Sequence, residues 1–234
     1  MGITKLCCPV IELRRYDMKP GRREELIDLF EEHFVAGQEK DGIRVIGQFR
    51  DRNNADRFVW MRGFAGMEAR RNALESFYGG AVWGAHRTAA NDTMADSSNV
   101  LLLKPARAGS GFEMDLRQQH SMVTATICHF GGPVNEGFLD LFENRIAPEA
   151  KSAGATLLGS FVTEPAANTF PRLPVREGEH VFVWVAAFTD DHLYANFRSA
   201  FGETAASFRE RLSMAPEILE LTPTERSLLG RGRL

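Results

Sequence analysis

The stretch FVWMRGF occupies residues 58–64, and a near copy, FVWVAAF, occupies residues 182–188. Two other segments recur in the same order, LIDLFEEHF (26–34) as FLDLFENRI (138–146) and VLLLKP (100–105) as ILELTP (218–223). Several elements that recur in one order along a chain indicate that a structural unit has been repeated. The sequence therefore predicts two copies of one unit.

Each copy alternates between strand and helix patterns, as the first copy shows. VIELRRY (10–16) is rich in strand-forming residues, and apolar residues then recur at helical spacing over residues 22–39, until Asp41-Gly42 ends the helix. Two more strands follow, IRVIGQF (43–49) and FVWMRGF, then a second helical region and the closing strand VLLLKP. The order βαββαβ is that of a ferredoxin-like unit, an antiparallel sheet with both helices on one face.

The third strand predicts how the two units combine. Side chains alternate across a strand, so Phe58, Trp60, Arg62 and Phe64 share one face, and the second copy repeats the aromatic positions. Two such faces left in water would form a larger apolar patch than soluble monomers usually expose, so we expect them to cover each other. The predicted fold class is α+β, with two tandem ferredoxin-like βαββαβ units forming an α+β barrel as an internal pseudo-dimer.

The amino-acid composition of the segment that joins the two copies sets the predicted domain boundaries. The stretch ARAGSGFEMDLRQQ (106–119) has the composition of a flexible linker. The first ferredoxin-like domain is then expected at residues 1–105 and the second, more diverged one at residues 120–223. Residues 224–234 are left as a C-terminal tail.

Charge and cysteine content narrow the classes of partner. The net charge of −3 comes without a block of like charges, which argues against nucleic acid or an anionic membrane surface as a partner. No segment approaches about 18 continuous apolar residues, and the start lacks the pattern of a secretory leader. The three cysteines include an adjacent pair, Cys7-Cys8, that cannot form an ordinary unstrained disulfide. A cytoplasmic protein is the expectation.

The first copy resembles the NIPSNAP family in its strand ELRRY, its KPG turn, FVWMRGF, and a helix with a tryptophan near its start. The resemblance covers nearly the whole chain and is strongest over residues 10–105. It implies a dimeric α+β barrel fold without an established reaction. Whether the chain also forms a homo-oligomer is left open.

The stretch FYGGAVWGAHRTAANDTMADSSN (77–99) brings three candidate residues into one helix. At helical spacing Trp83 lies on an apolar stripe, with His86 on one flank and Asn91 on the other. A histidine can move protons or bind iron because its pKa is near neutral and its neutral nitrogen coordinates metals. His86 and Asn91 are therefore candidate catalytic residues, and Trp83 is a candidate for stacking on a ligand. Ordinary packing of a helix face is the alternative.

Polar residues on the first strand form a second group of candidates. Glu12, Arg14 and Tyr16 alternate onto one face of that strand. They predict either a polar cavity inside the barrel or a strand end where polar groups meet solvent. The full set of candidate ligand-binding residues is Trp83, Tyr16, Arg14, Trp60, Glu12 and Asp51.

Arg62 is the third candidate catalytic residue, because it stands on an aromatic face where the second copy has Ala186. A buried arginine without a partner is costly, and Glu12 and Asp51 are acidic partners within the same unit. Arg62 is therefore expected either to orient an anionic substrate or to form a buried ion pair that fixes the register of the barrel.

Motifs for metal and nucleotide chemistry are absent from the sequence. The histidines show no metal-ligand spacing and Cys7-Cys8 has no second cysteine pair, so no metal site is predicted. There is no P-loop, no dinucleotide-binding glycine motif and no nucleophile elbow. No cofactor is predicted, and haem remains open without a motif to support it.

Two functions of different classes remain at this point. In the first, the barrel cavity binds a small aromatic or haem-like molecule, and by analogy of fold the protein is a monooxygenase-like enzyme. Single-copy polar groups among repeated aromatic positions favour this small-molecule function. In the second, the protein is a non-catalytic binding or assembly protein, and its polar residues only fix the barrel.

Overall fold

The computed structural model describes residues 7–114 and 120–230, apart from the side chains of residues 203–207. The strands are β1 Val10–Met18, β2 Arg44–Asp51, β3 Arg57–Phe64, β4 Met94–Pro105, β5 Met122–His129, β6 Thr156–Thr163, β7 Val181–Phe188 and β8 Glu217–Pro223. The α-helices are α1 Arg23–Leu29, α2 Val35–Lys40, α3 Met67–Gly79, α4 Ala81–Thr93, α5 Glu136–Leu141, α6 Ala147–Ser152 and α7 Asp191–Arg209. A π-helical turn joins α1 to α2 at Phe30–Phe34, and another joins α5 to α6 at Phe142–Ile146.

The strands of the described chain close into one antiparallel barrel in the order β1-β3-β2-β8-β5-β7-β6-β4. Each unit contributes four neighbouring strands in the ferredoxin-like order, β4-β1-β3-β2 from the first and β8-β5-β7-β6 from the second. Two seams join the units: β2 pairs with β8, where Phe49 lies opposite Pro223, and β4 pairs with β6, where Leu103 lies opposite Thr163. The predicted α+β barrel built as an internal pseudo-dimer is confirmed.

The two units also repeat their local irregularities. Gly42 and Gly154 have positive φ angles of 85° and 100°, and each lies in a turn two residues after the end of a helix. An L side chain is strained at such angles, whereas glycine is not. The first helix therefore ends where the sequence predicts, and the second ends before the equivalent glycine. The π-helical turns occupy equivalent positions in the two units as well.

Mostly aliphatic side chains fill the inside of the barrel, with Phe49 of β2 and Phe161 of β6 among them. Ile11 and Leu13 of β1 and Val59 and Met61 of β3 belong to this core and are at most 1% exposed. The opposite faces of the same strands carry the polar and aromatic residues. The predicted polar cavity inside the barrel is therefore wrong, because Glu12, Arg14 and Tyr16 point away from the barrel axis.

The aromatic faces of β3 and β7 lie under the helices. The ring of Trp60 contacts Phe30 with centroids 4.8 Å apart, and Trp184 contacts Phe142 at 5.9 Å. The prediction that the two aromatic faces cover each other is wrong, although the barrel itself is confirmed. The interior of an eight-stranded barrel is just wide enough for side chains to fill it, and branched aliphatic residues suit that space. The rings of Trp60 and Trp184 pack instead between sheet and helices.

Parts of the predicted linker and tail pack against the barrel. Phe112 is 1% exposed and contacts Phe161 with ring centroids 4.7 Å apart. Leu229 is equally buried and donates its N–H to the carbonyl of Ile46 at 3.2 Å. Residues 115–119 of the linker and 231–234 of the tail lie outside the described residues. The domain boundaries stay predictions.

The two adjacent cysteines are joined to each other. Cys7 and Cys8 form a disulfide at the bend before β1, with Cα atoms 3.8 Å apart. The missing side chain of Gly63 leaves room for Cys8, which occupies the place where a Cβ would lie. Cys128 is a free, buried thiol, and burial raises its pKa to about 12.

Truncation of a barrel side chain tests the packed interior. We expect Met61→Ala to lower the free energy of unfolding by about 2–5 kcal/mol, because a filled core leaves a cavity when a large side chain is removed. Met214→Ala is the matched control, since Met214 is 58% exposed whereas Met61 is 1% exposed. Urea denaturation measures both variants. Equal stability of the two would contradict a packed barrel interior.

Candidate functional site: a buried arginine cluster

Four charged side chains are buried together between the sheet of the first unit and its helices. They are Glu12 and Arg14 of β1, Arg62 of β3 and Arg70 of α3, and we call them the arginine cluster. Each is 0% exposed. The pairing of β1 with β3 places Glu12 directly opposite Arg62, so alternation across the strands brings these side chains to one face.

Glu12 holds the cluster together by accepting hydrogen bonds from all three arginines. Its Oε2 accepts from Arg14 Nη1 at 2.6 Å and from Arg62 Nε at 2.8 Å. Its Oε1 accepts from Arg70 Nε at 2.6 Å. Charged partners make these hydrogen bonds stronger than neutral ones, and one carboxylate thereby ties two strands and a helix together.

Neutral side chains complete part of the hydrogen bonding around Arg14 and Arg62. Arg14 Nε donates to Tyr16 Oη at 2.9 Å. Arg62 Nη1 donates to Gln38 Oε1 at 3.0 Å and lies 3.5 Å from Tyr78 Oη. These partners supply acceptors but no negative charge.

The second unit reaches the cluster through the loop between β6 and β7, residues 164–180. Arg70 Nη1 donates to Asn168 Oδ1 at 3.0 Å and to Thr169 Oγ1 at 3.1 Å. In the same loop, Phe170 stacks on Tyr78 with ring centroids 5.9 Å apart. The loop therefore covers the cluster on the side that the first unit leaves open.

The hydrogen bonding of the cluster is incomplete. The Nη2 atoms of Arg14, Arg62 and Arg70 and the indole Nε1 of Trp60 are buried and have no hydrogen-bond partner among the described residues. Three guanidinium groups against one carboxylate also leave two positive charges uncompensated within the cluster. Buried polar groups in native proteins are nearly always paired, and an unpaired buried charge is costly. A negatively charged group beside these atoms would supply the missing acceptors and charge.

Aromatic rings line the same space. The Arg62 guanidinium lies 5.0 Å from the ring of Trp60 and 5.5 Å from that of Phe64. Arg14 lies 5.4 Å from the ring of Tyr16. Cation–π attraction compensates part of the cost of burying the arginines. The rings also give the site flat apolar walls beside its charges.

Neighbouring charges control the ionisation of Glu12. Burial alone would raise the pKa of this carboxyl, but the charges of Arg62, Arg14 and Arg70 outweigh burial and hold the pKa well below its usual value. Glu12 is therefore ionised over the whole physiological range. Burial also raises the pKa of Tyr16, so its phenol stays protonated.

The structure brings together five of the residues that the sequence singled out. Glu12, Arg14, Arg62, Tyr16 and Trp60 share one layer between sheet and helices, and Glu12 is the predicted acidic partner of Arg62.

Asp51 is not part of this group, and its predicted pairing with Arg62 is wrong. Its carboxylate lies 3.5 Å from Arg57 Nη1 and accepts the N–H of Asn53 at 2.8 Å. Asp51 is the last residue of β2, so it lies at the turn into β3 rather than over the middle of the sheet.

The three candidate residues on α4 lie outside the arginine cluster. Trp83 packs on Phe34 and Tyr78, with ring centroids 5.5 Å and 4.9 Å away. His86 is half-buried and stacks on His33 with centroids 3.8 Å apart. Asn91 is exposed. The described contacts do not bring any of these three to the arginine cluster, and their functional roles stay predictions.

Sequence reasoning missed Arg70 and Gln38 because both lie on helices. Arg70 shares the buried face of α3 with Ala73, Leu74 and Phe77. A charged residue at the spacing of an apolar stripe is a signal that can be read from sequence. The contact of Asn168 with Arg70 cannot be predicted in this way, since Asn168 lies in an irregular loop whose sequence has no periodicity that would show where it packs.

The described residues contain neither a metal-ligand group nor a membrane-spanning helix. No group of three or more His, Cys, Asp or Glu side chains in residues 7–114 and 120–230 could hold a metal ion. Within the same ranges, every helix is too short or too polar to span a bilayer.

Removal of the central carboxylate tests its role. We expect Glu12→Gln to lower the free energy of unfolding by about 3–5 kcal/mol, because it leaves three buried guanidinium groups without an anion. Glu25→Gln is the control, since Glu25 forms an exposed ion pair with Arg22 and such pairs contribute little. Thermal and urea denaturation measure both variants. A Glu12→Gln protein as stable as Glu25→Gln would contradict this role.

The stability difference between the wild type and Glu12→Gln should depend on pH. The pKa of Glu12 is lowered on folding, so its contribution is complete above the unfolded pKa of about 4.5 and is lost as pH falls through the folded value. We expect the difference to be constant from about pH 6 to 8 and to shrink in acid below about pH 4. Urea denaturation at several pH values measures it. A difference that grows in acid would contradict the lowered pKa.

Comparisons with known proteins agree with this architecture. Residues 11–107 match the family model described as NIPSNAP. None of the curated proteins matches the chain.

Two solved structures match the chain over nearly its full length, and both are proteins suggested to be monooxygenases. The protein from Lactobacillus acidophilus NCFM is 14% identical with a TM-score of 0.58, covering 96% of this chain and 98% of its own. The protein from Fusobacterium nucleatum is 10% identical with a TM-score of 0.59, covering 97% of this chain and 99% of its own. At these identities the likeness shows the fold alone. The NIPSNAP match covers the first unit of the chain, over residues 11–107, and is attached to no established reaction.

Proposed function

We propose that the first unit binds a small organic anion at the arginine cluster. The observation that carries this proposal is the set of three buried guanidinium Nη2 atoms without partners, in a cluster with two uncompensated positive charges. A bound anion supplies both the missing acceptors and the missing charge.

The chemistry of the site favours a carboxylate attached to an aromatic ring. Guanidinium groups match the two oxygens of a carboxylate in a planar, bidentate geometry. Trp60, Phe64 and Tyr78 place aromatic rings within 6 Å of the Arg62 guanidinium, which suits a flat ligand. The indole N–H of Trp60 adds one more donor without a partner.

The loop at residues 164–180 is the cover of this site. Its Asn168 and Thr169 side chains are neutral acceptors for Arg70. A ligand carboxylate can replace them as the acceptor. The ligand would therefore enter beneath this loop rather than through the packed barrel interior.

An enzymatic role of the monooxygenase type stays a prediction. It rests on the likeness of fold, which is a weak warrant for a reaction. His86 and Asn91, its candidate catalytic residues, lie outside the arginine cluster. Haem remains open in this proposal, with His86 as its candidate ligand. A cytoplasmic location and a homo-oligomer stay predictions as well.

A non-catalytic assembly role remains the alternative, because one observation supports it. Glu12 already binds all three arginines and joins β1, β3 and α3. In that role the cluster only fixes the register of the barrel and binds no ligand.

Benzoate binding distinguishes these functions. We expect benzoate to raise the melting temperature of the wild type, and calorimetric titration to give an affinity at least tenfold weaker for Arg70→Gln, because the variant lacks one of the three donors. Arg71→Gln is the matched control on the same helix, since Arg71 is 49% exposed and Arg70 is fully buried. Circular dichroism confirms that both variants are folded.

The opposite results would contradict the anion site. Equal benzoate affinity in Arg70→Gln and Arg71→Gln would place binding elsewhere. A folded wild type that binds neither benzoate nor inorganic phosphate, together with a large loss of stability in Arg70→Gln, would favour the assembly role.

A further inference from the structure

The second unit has a different site at the position equivalent to the arginine cluster. In the first unit Glu12 lies opposite Arg62; in the second Thr124 lies opposite Ala186. Two residues along the strand, on the same face, Thr126 of the second unit lies opposite Trp184, and Arg14 of the first unit lies opposite Trp60. The tryptophan is retained in both units, whereas the charged positions become threonine and alanine.

A pocket of about 200 Å³ opens at this position between the sheet and α7. We call it the aromatic pocket, and its described lining includes Thr124, Thr126, Trp184, Phe197, Phe201 and Phe208. Phe197 and Phe201 stack with ring centroids 4.9 Å apart and an angle of 19° between their planes. This stacked pair forms an aromatic wall of the pocket.

Two polar groups stand at the base of the pocket without partners. Thr124 and Thr126 are 2% and 5% exposed, and among the described residues neither hydroxyl has a hydrogen-bond partner. A hydroxyl group can both donate and accept one. Polar groups of this kind orient a ligand in a pocket whose other walls are apolar.

The two arginines that line the pocket are exposed, unlike those of the arginine cluster. Glu220 Oε1 accepts from Tyr194 Oη at 2.7 Å and from Arg198 Nη1 at 3.3 Å, and Arg209 lies at the solvent-facing side. Among the described lining residues, no buried cation is therefore present to hold an anionic ligand. Ile218, which is 51% exposed, adds an apolar side chain at the rim.

We propose that the aromatic pocket binds a small neutral aromatic molecule with a hydroxyl group, of the size of phenol. A cavity of about 150 Å³ lined by apolar side chains is enough to hold benzene, so 200 Å³ fits one ring with a substituent. The ring packs against Trp184 and the wall of Phe197 and Phe201, and the hydroxyl group bonds Thr124 or Thr126. This site is independent of the anion site in the first unit.

Calorimetric titration of the full chain with phenol and with toluene tests the proposal. Gly202→Leu fills the pocket, since Gly202 lines it and a Cβ there meets no atom within 4 Å. Gly84→Leu is the matched control, because Gly84 lies on α4 of the first unit with equally open space. Leucine favours a helix over glycine, so both variants are expected to fold.

We expect phenol to bind the wild type and Gly84→Leu equally, and Gly202→Leu at least tenfold more weakly. The double variant Thr124→Val with Thr126→Val should weaken phenol binding about tenfold and leave toluene binding unchanged, because it removes only hydrogen bonds. Undiminished phenol binding in Gly202→Leu, no binding to the wild type, or equal loss for phenol and toluene in the double variant would overturn the proposal.

Discussion

Closure of the two sheets on each other is the constraint on which the rest of the structure depends. Each unit makes a four-stranded antiparallel sheet that has two open edges and one face without helices. The seams of β2 with β8 and of β4 with β6 pair these edges, and the enclosed aliphatic core buries the uncovered faces. An unpaired edge or an exposed apolar face would be prone to association, so neither unit has a complete core without the other.

The same closure separates the chemistry of the two faces of each strand. Residues that point inward must fit the narrow barrel and are mostly aliphatic, with Phe49 and Phe161 among them, and they fill the barrel axis. Residues that point outward meet a layer of helices, where space depends on how the helices pack. Polar residues such as Glu12 and Thr124 can therefore differ between the units without disturbing the barrel, and both proposed sites lie in this layer.

Duplication followed by divergence explains why equivalent positions of the two sheets carry charged residues in the first unit and neutral residues in the second. Trp60 and Trp184 keep equivalent contacts with Phe30 and Phe142, so the framework is shared. Around it, the first unit gains a carboxylate with three arginines, and the second keeps a pocket with aromatic walls. The loop that carries Asn168 then connects the second unit to the site of the first, which makes the arginine cluster dependent on both copies.

The sequence by itself determined the repeat, the βαββαβ order and the barrel, and it limited the acidic partner of Arg62 to Glu12 or Asp51, because these follow from periodicity, strand alternation and the cost of burying charge. Only the tertiary structure decided which face of β3 turns inward, since alternation defines two faces but does not say which one the helices cover. It also brought Arg70 and Asn168 to the site and kept Asp51 and His86 away. Those placements depend on how helices and an irregular loop pack over the sheet, and no local pattern along the chain encodes that packing.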